Sequence, residues 1–305
     1  MPPESDSTPG WLQSSGETGY GTDNANFEEG ESSSSSSSLP FLQQAQSVSS
    51  ILSIFLSPLA VILVSVWASN LGGVSWTQGE SGRVFNWHPV LMVTAYAIMN
   101  IGALVFRVSG TSSYQTSIAR SSSSATAVLP SEDAEKKRGF MKIIHGSIWS
   151  SSFIFGTVAM VAVFKSHNDP ISGYIANLYS FHSWVGILVL SLYTLQFVVG
   201  ILAFGGLLSS GERSRRSWIS KPVLMELHKY AGTYIHILVS VTIMLGIQEK
   251  EGFVGCGYKV ESADLMPFLN YGLIPYACKI SHDLGLVILA MGLFTSFGLA
   301  RFPVL

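Results

Sequence analysis

The hydrophobic positions of the chain are gathered into long runs that carry few charges and are separated by polar segments. A run of about 18 apolar residues is long enough for a transmembrane helix, and six runs reach that length. Their approximate ranges are 48–69, 87–107, 143–165, 179–208, 223–248 and 280–301. Because hydrocarbon offers no water to satisfy the backbone, each run is predicted to be an α-helix. The predicted fold class is an all-α membrane protein with six transmembrane helices.

Composition agrees with this pattern and separates off the N-terminus. Of the 305 residues, 48% are hydrophobic and 12% are charged, about half the charged fraction of a typical soluble domain. Residues 1–45 are acidic, lack Lys and Arg, and contain a serine run from Ser32 to Ser38. Such a segment buries too little apolar surface to offset the entropy of ordering. We therefore predict a disordered tail over 1–45 and one transmembrane domain over 46–305.

The basic residues predict the orientation of the helices. Eleven Lys and Arg residues fall on one side of the predicted membrane and five on the other. Positive charge marks the cytoplasmic face, so both termini are predicted to be cytoplasmic. Cys256 and Cys278 fall on the opposite side, where a disulfide is permitted, and both a bridge and two free thiols remain open. The sequence does not distinguish a plasma membrane from an endomembrane.

Four histidines stand near the starts of four different apolar runs, at His88, His145, His182 and His228. Ionisable side chains at membrane depth are costly and mark functional sites, and imidazole is the commonest side-chain ligand for metals. Since neighbouring helices alternate in direction, His88 and His182 should lie near one face, and His145 and His228 near the other. At 1.5 Å per residue, the two pairs should be roughly 20 Å apart in depth.

Two imidazoles on facing helices can hold one haem iron from both sides, so this pattern is typical of a four-helix bundle, spans two to five, with two haems. An iron with both axial positions filled favours electron transfer over oxygen activation. The alternative is a proton-coupled transporter that uses the same histidines as a relay. Three further histidines need separate treatment: His236 is a rival ligand, His282 begins the sixth span without an identified partner, and His167 lies in a loop.

Two ten-residue segments resemble signatures of the cytochrome b561 family. Residues 85–94, Phe-Asn-Trp-His-Pro-Val-Leu-Met-Val-Thr, are similar to its second-helix signature, and residues 177–186, Asn-Leu-Tyr-Ser-Phe-His-Ser-Trp-Val-Gly, to its fourth-helix signature. Shorter matches mark the third and fifth helices, at Lys142, Leu224-Met225, Leu245-Gly246 and Glu249-Lys250. The resemblance covers about 50–301.

The resemblance implies two b-type haems, with His88 and His182 on the outer one and His145 and His228 on the inner one. It also implies transfer of electrons from cytoplasmic ascorbate to monodehydroascorbate or ferric iron on the other side. The expected partners are these small molecules, the lipid bilayer and, in a homodimer, a second copy of the chain; no nucleic acid is expected. A nicotinamide-dependent reductase is disfavoured, because the chain lacks a strand-associated Gly-x-Gly-x-x-Gly motif.

The resemblance assigns further residues to the two ends of the bundle. The expected ascorbate contacts are Arg138, Lys142 and Lys221, and the expected outer substrate residue is His167. The expected haem contacts are Arg107, Asn177, Tyr179, Ser180 and Glu249. Basic residues at the cytoplasmic entrance are also expected from orientation alone.

Three positions depart from the family pattern. Trp149 stands where a second histidine is usual, Glu226 where proline is common, and Arg138 where lysine is frequent. The negative charge of Glu226 is expected to oppose an anionic substrate nearby.

Overall fold

The computed structural model describes residues 35–109, 132–204, 221–256 and 274–300. The helices of this part are α1 (Ser35–Asn70), α2 (Ser81–Phe85), α3 (Trp87–Val108), α4 (Glu132–His167), α5 (Phe181–Phe204), α6 (Lys221–Phe253) and α7 (Tyr276–Leu299). A short antiparallel hairpin, β1 (Asn168–Asp169) and β2 (Gly173–Tyr174), follows α4. In the described ranges, six helical segments are long and apolar enough to cross a membrane, α2 and α3 together forming the second. The predicted six-span, all-α fold is confirmed.

The helices that carry the four histidines lie together in one bundle. Helix α3 packs along α4, and α5 packs along α6, whereas α4 and α5 touch only marginally. Helix α1 packs against α3 and α7, and α7 also packs against α6. The first and last spans therefore flank the histidine-bearing helices, as the sequence predicted.

Helix α1 begins earlier than the hydrophobic run that predicted it. It starts at Ser35, so the predicted tail boundary at residue 45 falls inside the helix. A tertiary contact accounts for part of the extension: the Gln46 side-chain amide donates to the carbonyls of Phe297 (3.3 Å) and Ala300 (2.7 Å) at the end of α7. This contact joins α1 to the C-terminal turn of α7. Residues 1–34 of the predicted tail lie outside the described residues.

A buried polar cluster joins α1, α3, α6 and α7. The Asn100 amide nitrogen donates to the Ser53 carbonyl (3.1 Å) and to the Ser57 hydroxyl (3.0 Å). Its oxygen faces His236 Nε2 at 3.1 Å and accepts a hydrogen bond from Thr295. Hydrogen bonds between helices stabilise membrane bundles in which lipid and protein are equally apolar. This cluster fixes the flanking helices against the bundle.

Two contacts close the end of the bundle where α3 and α5 begin. Cys256 and Cys278 form a disulfide, with a Cα–Cα distance of 5.9 Å, that joins the end of α6 to the start of α7. Of the two possibilities that the sequence left open, the bridge is the one present. The Asp169 carboxylate accepts hydrogen bonds from the backbone N–H groups of Ile171 (2.9 Å) and Gly79 (2.6 Å), which ties the hairpin to the loop before α2.

Candidate functional site

The four histidines form two facing pairs, one at each end of the bundle. The ring centroids of His88 and His182 are 6.2 Å apart, and those of His145 and His228 are 6.4 Å apart. Each pair joins helices that follow the same direction, α3 with α5 and α4 with α6. The structure thus brings together the residues that the sequence paired.

Both separations fit one metal ion held between two imidazoles. A metal–nitrogen bond of about 2.0 Å, added to the roughly 1.1 Å between a ring nitrogen and the ring centre, gives about 6.2 Å between two ligating rings in line with the ion. The observed distances are 6.2 and 6.4 Å. All four side chains are half-buried.

Three of the rings are oriented by backbone carbonyls on a neighbouring helix. Nδ1 of His88 lies 3.2 Å from the Ala159 carbonyl, Nδ1 of His145 lies 2.9 Å from the Gly102 carbonyl, and Nδ1 of His182 lies 2.9 Å from the Thr242 carbonyl. A carbonyl can only accept, so each Nδ1 carries the proton. The neutral ring then presents Nε2 as a lone pair, which is the arrangement that second-shell partners impose on histidine ligands.

His228 differs because a side chain occupies the place of the carbonyl. The Gln196 amide nitrogen lies 2.9 Å from His228 Nδ1 and donates to the His228 carbonyl at 2.6 Å. An amide nitrogen can only donate, so in this orientation Nδ1 of His228 is the acceptor and Nε2 carries the proton. For His228 to bind a metal through Nε2, the Gln196 amide would have to turn so that its oxygen accepts from Nδ1. The sequence analysis did not identify this residue, because a single amide in an apolar helix carries no motif.

The four contacts share one spacing along the helices. Gly102 follows His88 by fourteen residues, Ala159 follows His145, Gln196 follows His182 and Thr242 follows His228, each by the same fourteen. Fourteen residues correspond to about 21 Å of helix. This value matches the predicted separation in depth of the two pairs.

Glycines leave room for two of the rings. A Cβ atom at Gly246 would lie 2.8 Å from Cε1 of His182, and one at Gly200 would lie 3.4 Å from Cε1 of His228. The first distance is a steric overlap and the second a tight contact. The His182 ring therefore approaches the backbone of α6 so closely that position 246 has room only for glycine.

Aromatic side chains occupy the bundle next to the inner pair. The ring of Trp149 lies 5.7 Å from His145 and 5.4 Å from Tyr193, whose hydroxyl donates to the Trp149 carbonyl at 3.0 Å. Phe153 continues the contact, 5.9 Å from Tyr193 and 5.1 Å from Phe197. The position where the family usually has a second histidine is therefore filled by an apolar ring in a packed cluster.

Four of the polar residues predicted near the outer haem, Asn177, Tyr179, Ser180 and Glu249, lie just before α5 and near the end of α6. The Ser180 hydroxyl donates to Glu249 Oε2 at 2.9 Å, and Asn177 donates to Asn168 Oδ1 at 3.4 Å. Burial and the neighbouring Glu249 carboxylate raise the pKa of Tyr179 to about 12, so its hydroxyl keeps its proton. Tyr179 also lies 6.4 Å from the ring of His167.

Phe85 connects this outer end to the histidine pair. Its ring is stacked on His167 (centroids 6.2 Å apart, planes within 7°) and lies 5.9 Å from His88. Nζ of Lys250 lies 4.4 Å from the centre of the same ring. Phe85 and Lys250 lie in segments that resemble the family, but neither residue was predicted to have a role.

The residues predicted to contact ascorbate lie around the opposite end. Arg138 and Lys142 are exposed on α4 within two turns of His145. Lys221 is the first residue of α6, and its side chain lies outside the described part of the chain. Glu226 pairs with Lys229 at 3.1 Å, which offsets the negative charge that the sequence analysis expected to oppose a substrate.

Arg107 lies at the same end, where its guanidinium donates to Gln46 Oε1. The neighbouring Phe106 ring is 5.4 Å from His145. Arg107 thus sits one residue from a ring that touches the inner pair, with most of its five donors uncommitted in these contacts.

The remaining histidines have other partners. His236 is buried in the polar cluster, with Nε2 directed at Asn100, so it is not a rival ligand to His228. His282 faces Glu251 at 3.5 Å, a partner that the sequence analysis did not identify.

Comparisons with known proteins identify the family of the chain. Residues 124–254 match the family described as eukaryotic cytochrome b561. The chain is 32% identical over 245 residues to a lysosomal membrane ascorbate-dependent ferrireductase of Danio rerio, covering 80% of this chain and 83% of that protein. It is 33% identical to a plasma membrane ascorbate-dependent reductase of Xenopus laevis, covering 65% of this chain and 59% of that protein. For transmembrane ascorbate ferrireductase 1 of Arabidopsis thaliana, the identity is 32%, over 66% of this chain and 71% of the other.

The identity and coverage extend over the histidine-bearing helices, in agreement with the two helix signatures in the sequence. This chain is a member of the cytochrome b561 family.

Proposed function

We propose that the protein transfers electrons across its membrane from ascorbate to an acceptor on the opposite face, through two b-type haems. The observation that carries the proposal is that the four histidines form two facing pairs. In each pair, the distance between the rings fits one shared iron. Relatives named as ascorbate-dependent ferrireductases support the same chemistry. Each haem, when bound, supplies reversible one-electron chemistry.

The side chains of the bundle hold and insulate that relay. His88 with His182 would hold one haem and His145 with His228 the other, and the contacts at each Nδ1 keep the rings in position. The aromatic cluster around Trp149 excludes water from the region between the pairs, which keeps electrons from side reactions.

Ascorbate binds at the inner end in this account. An ascorbate monoanion needs cationic donors, and Arg138, Lys142 and Lys221 supply them at the starts of α4 and α6. Arg107 is placed to donate to a propionate of the inner haem, since Arg forms strong hydrogen bonds with carboxylates.

The outer end receives the acceptor. Asn177, Tyr179, Ser180 and Glu249, just before α5 and near the end of α6, would form the polar edge of a haem site at this end. His167, stacked on Phe85, is the residue proposed to contact the acceptor, either monodehydroascorbate or ferric iron.

The placement in the membrane follows from the charge distribution. We assign both termini to the cytoplasm and residues 46–305 to the transmembrane domain, whose first helix, α1, extends back to Ser35. The acidic segment before α1 is assigned to an unstructured tail. The host membrane is either the plasma membrane or an endomembrane. The protein functions either as a single chain or as a homodimer.

Vesicles that contain the purified protein test this function. With ascorbate on the cytoplasmic face and ferric citrate on the other, ferrous iron should form at a rate that depends on the protein. His88→Ala should lower the rate of ferrous iron formation at least tenfold, because it breaks the outer histidine pair. Ascorbate should still reduce the inner haem, because the inner pair is intact. A protein that stays colourless after addition of haem would contradict the proposal and favour the proton relay.

A further inference from the structure

His236 is a buried histidine that belongs to neither facing pair, with 1% of its surface exposed. It lies on α6, eight residues after His228 and six residues before Thr242, whose carbonyl contacts His182. These spacings correspond to about 12 Å and about 9 Å of helix. The ring of His236 is therefore at an intermediate depth, between the levels of the two histidine pairs.

The hydrogen bonds of Asn100 determine which nitrogen of His236 carries the proton. The Asn100 amide nitrogen donates to the Ser53 carbonyl at 3.1 Å, and because a carbonyl can only accept, this bond fixes the orientation of the amide. The Asn100 oxygen then faces His236 Nε2 at 3.1 Å. Nε2 is therefore the donor, and Nδ1 of the neutral ring presents a lone pair.

No protein group in the described part of the chain is bound to that lone pair. Nδ1 of His236 is buried and has no hydrogen-bonding partner among these residues. Since nearly all buried polar atoms in proteins are hydrogen-bonded, such an exception indicates a ligand. A metal ion would need further donors, but within the described ranges no group of three or more His, Cys, Asp or Glu side chains converges. The candidates for Nδ1 are a proton and a water molecule.

The groups that face His236 are polar rather than charged. From α3 these are the Asn100 amide and the phenol of Tyr96, whose ring centroid is 4.9 Å from that of His236. Helices α1 and α7 contribute hydroxyls to the same polar cluster, from Ser53, Ser57 and Thr295. Among the described residues, His236 forms no ion pair with an acid. A charged ring at membrane depth is costly without a counter-charge, so a proton at Nδ1 requires a negative charge from elsewhere.

Electrons that pass through the bundle supply this negative charge. An electron at either histidine pair adds one unit of charge at roughly 10–15 Å from His236, a distance at which two charges in a protein alter each other's equilibria about fivefold to tenfold. This coupling is reciprocal: the electron favours binding of the proton, and the proton favours binding of the electron by the same factor.

Buried polar side chains connect the level of His236 with the inner end of the bundle. On α1 the buried residues from the inner end to the polar cluster are Gln46, Ser49, Ser50, Ser53 and Ser57. Gln46 accepts a hydrogen bond from Arg107 at that end. Beyond the cluster, the buried residues of α1 are Ala60, Val64, Trp67 and Ala68, all apolar. A proton therefore reaches His236 more easily from the inner face than from the outer face.

We propose that His236 is a proton-binding site linked to reduction of the protein: Nδ1 binds a proton from the inner face when electrons enter the bundle and releases it when they leave. The proposal rests on the proposed function and adds a proton to its electron transfer. One electron reduces a haem, and one proton from water at the inner face forms an N–H bond at Nδ1. Loss of the electron reverses both changes.

Redox titrations at several pH values test this proposal. The midpoint potentials of the purified, haem-loaded protein are measured electrochemically between pH 5 and pH 8. In vesicles, a pH dye confined to one face reports the protons taken up on reduction. His236→Gln keeps an amide donor for Asn100 but cannot bind a proton. Tyr96→Phe is the matched control, because it removes a buried hydroxyl that is bonded to Ser240 and leaves both nitrogens of His236 unchanged.

In the wild type, the affinity of at least one haem for its electron should rise about fivefold to tenfold between pH 8 and pH 5. A tenfold rise is about 59 mV for a one-electron couple. The dye should report proton uptake at the inner face. His236→Gln should lose most of the rise and of the uptake, whereas Tyr96→Phe should match the wild type.

Three results would overturn the proposal. These are wild-type potentials that do not depend on pH, an equal dependence in His236→Gln, and proton uptake at the outer face alone. The first two would leave a bound water as the partner of Nδ1. If His236→Gln binds no haem, infrared difference spectra of wild-type protein with ¹⁵N-labelled histidine decide instead: a band of protonated imidazole that appears on reduction supports the proposal, and its absence overturns it.

Reduction by ascorbate, recorded before the titrations, separates this proposal from the proposed function. If ascorbate leaves the haems oxidised, the donor assignment fails, and the electrochemical titration still decides the role of His236. If ascorbate reduces haems whose potentials do not depend on pH, only the role of His236 fails.

Discussion

Single residues decide how closely the histidine rings approach the helices that orient them. Gly246 lies on α6 directly beside His182, whose Nδ1 is bound to the Thr242 carbonyl one turn earlier. Any side chain at Gly246 competes with the ring for the same space. The position of the His182 ring therefore depends on glycine at position 246.

Substitution of Gly246 by alanine should displace His182. The added Cβ would lie 2.8 Å from Cε1 and 3.2 Å from both ring nitrogens, an overlap that costs about 1–3 kcal/mol in a packed site. Gly246→Ala should therefore bind about one haem per chain, measured by absorbance against protein mass. Gly252→Ala, on the same helix with no atom within 4 Å of its Cβ, is the control and should keep the wild-type content. Full haem binding by Gly246→Ala would contradict the ring placement.

The sequence predicted the residues that bear recognisable chemistry and missed those that act through shape or local contact. His88, His145, His182 and His228 were identified and paired because imidazole in an apolar run is rare. Gln196 contacts a ligand as directly as the backbone carbonyls do, yet nothing local distinguishes it. The sequence likewise did not show that His236 belongs to the polar cluster, because its partner, Asn100, comes from another helix.

At the level of elements, the hairpin β1–β2 is the feature that the hydrophobic pattern did not predict. Its strands have two residues each, too few for any periodicity. The Asp169 side chain holds it, by accepting N–H groups from its own turn and from Gly79. Burial disfavours the charged acid, but the N–H groups of Ile171, Gly79 and Ser172 outweigh it and hold the pKa of Asp169 below its ordinary value.

This shift fixes the sign of the pH dependence of the hairpin. A carboxyl group whose pKa is lowered by folding stabilises the fold above its unfolded pKa, about 3.9, and loses that contribution only as pH falls through the lower folded value. Amide hydrogen exchange of residues 168–175, corrected for the intrinsic effect of pH, should therefore show equal protection at pH 7 and pH 5. Asp169→Ala should lose at least fivefold in protection at both values. If the wild-type protein lost amide protection between pH 7 and pH 5, the Asp169 carboxylate would not be the group that stabilises the hairpin.

Helix ends were predicted less well than helix cores. The apolar runs located all six spans, because composition and length decide them. The start of α1 at Ser35 was not predicted, since the contact of Gln46 with the end of α7 is long-range. The disulfide between Cys256 and Cys278 was left open for the same reason, because spacing alone does not pair cysteines.

Across the whole molecule, one spacing of fourteen residues recurs on four helices and sets the two histidine pairs at opposite ends of the bundle. Helices α3 and α4 orient each other's histidines, and α5 and α6 do the same. The flanking helices α1 and α7 contribute a disulfide and a polar cluster but none of the four ligands. The arrangement therefore places two similar histidine pairs in one helical bundle.

The haem content of ligand variants tests this account most directly. The purified wild type should contain two haems per chain, both visible in the reduced-minus-oxidised spectrum after addition of ascorbate. His88→Ala and His145→Ala should each contain one haem, with different remaining spectra, because each breaks a different pair. Variants that keep two haems, or that lose both while the protein stays folded by circular dichroism, would contradict the assignment of two independent bis-histidine sites.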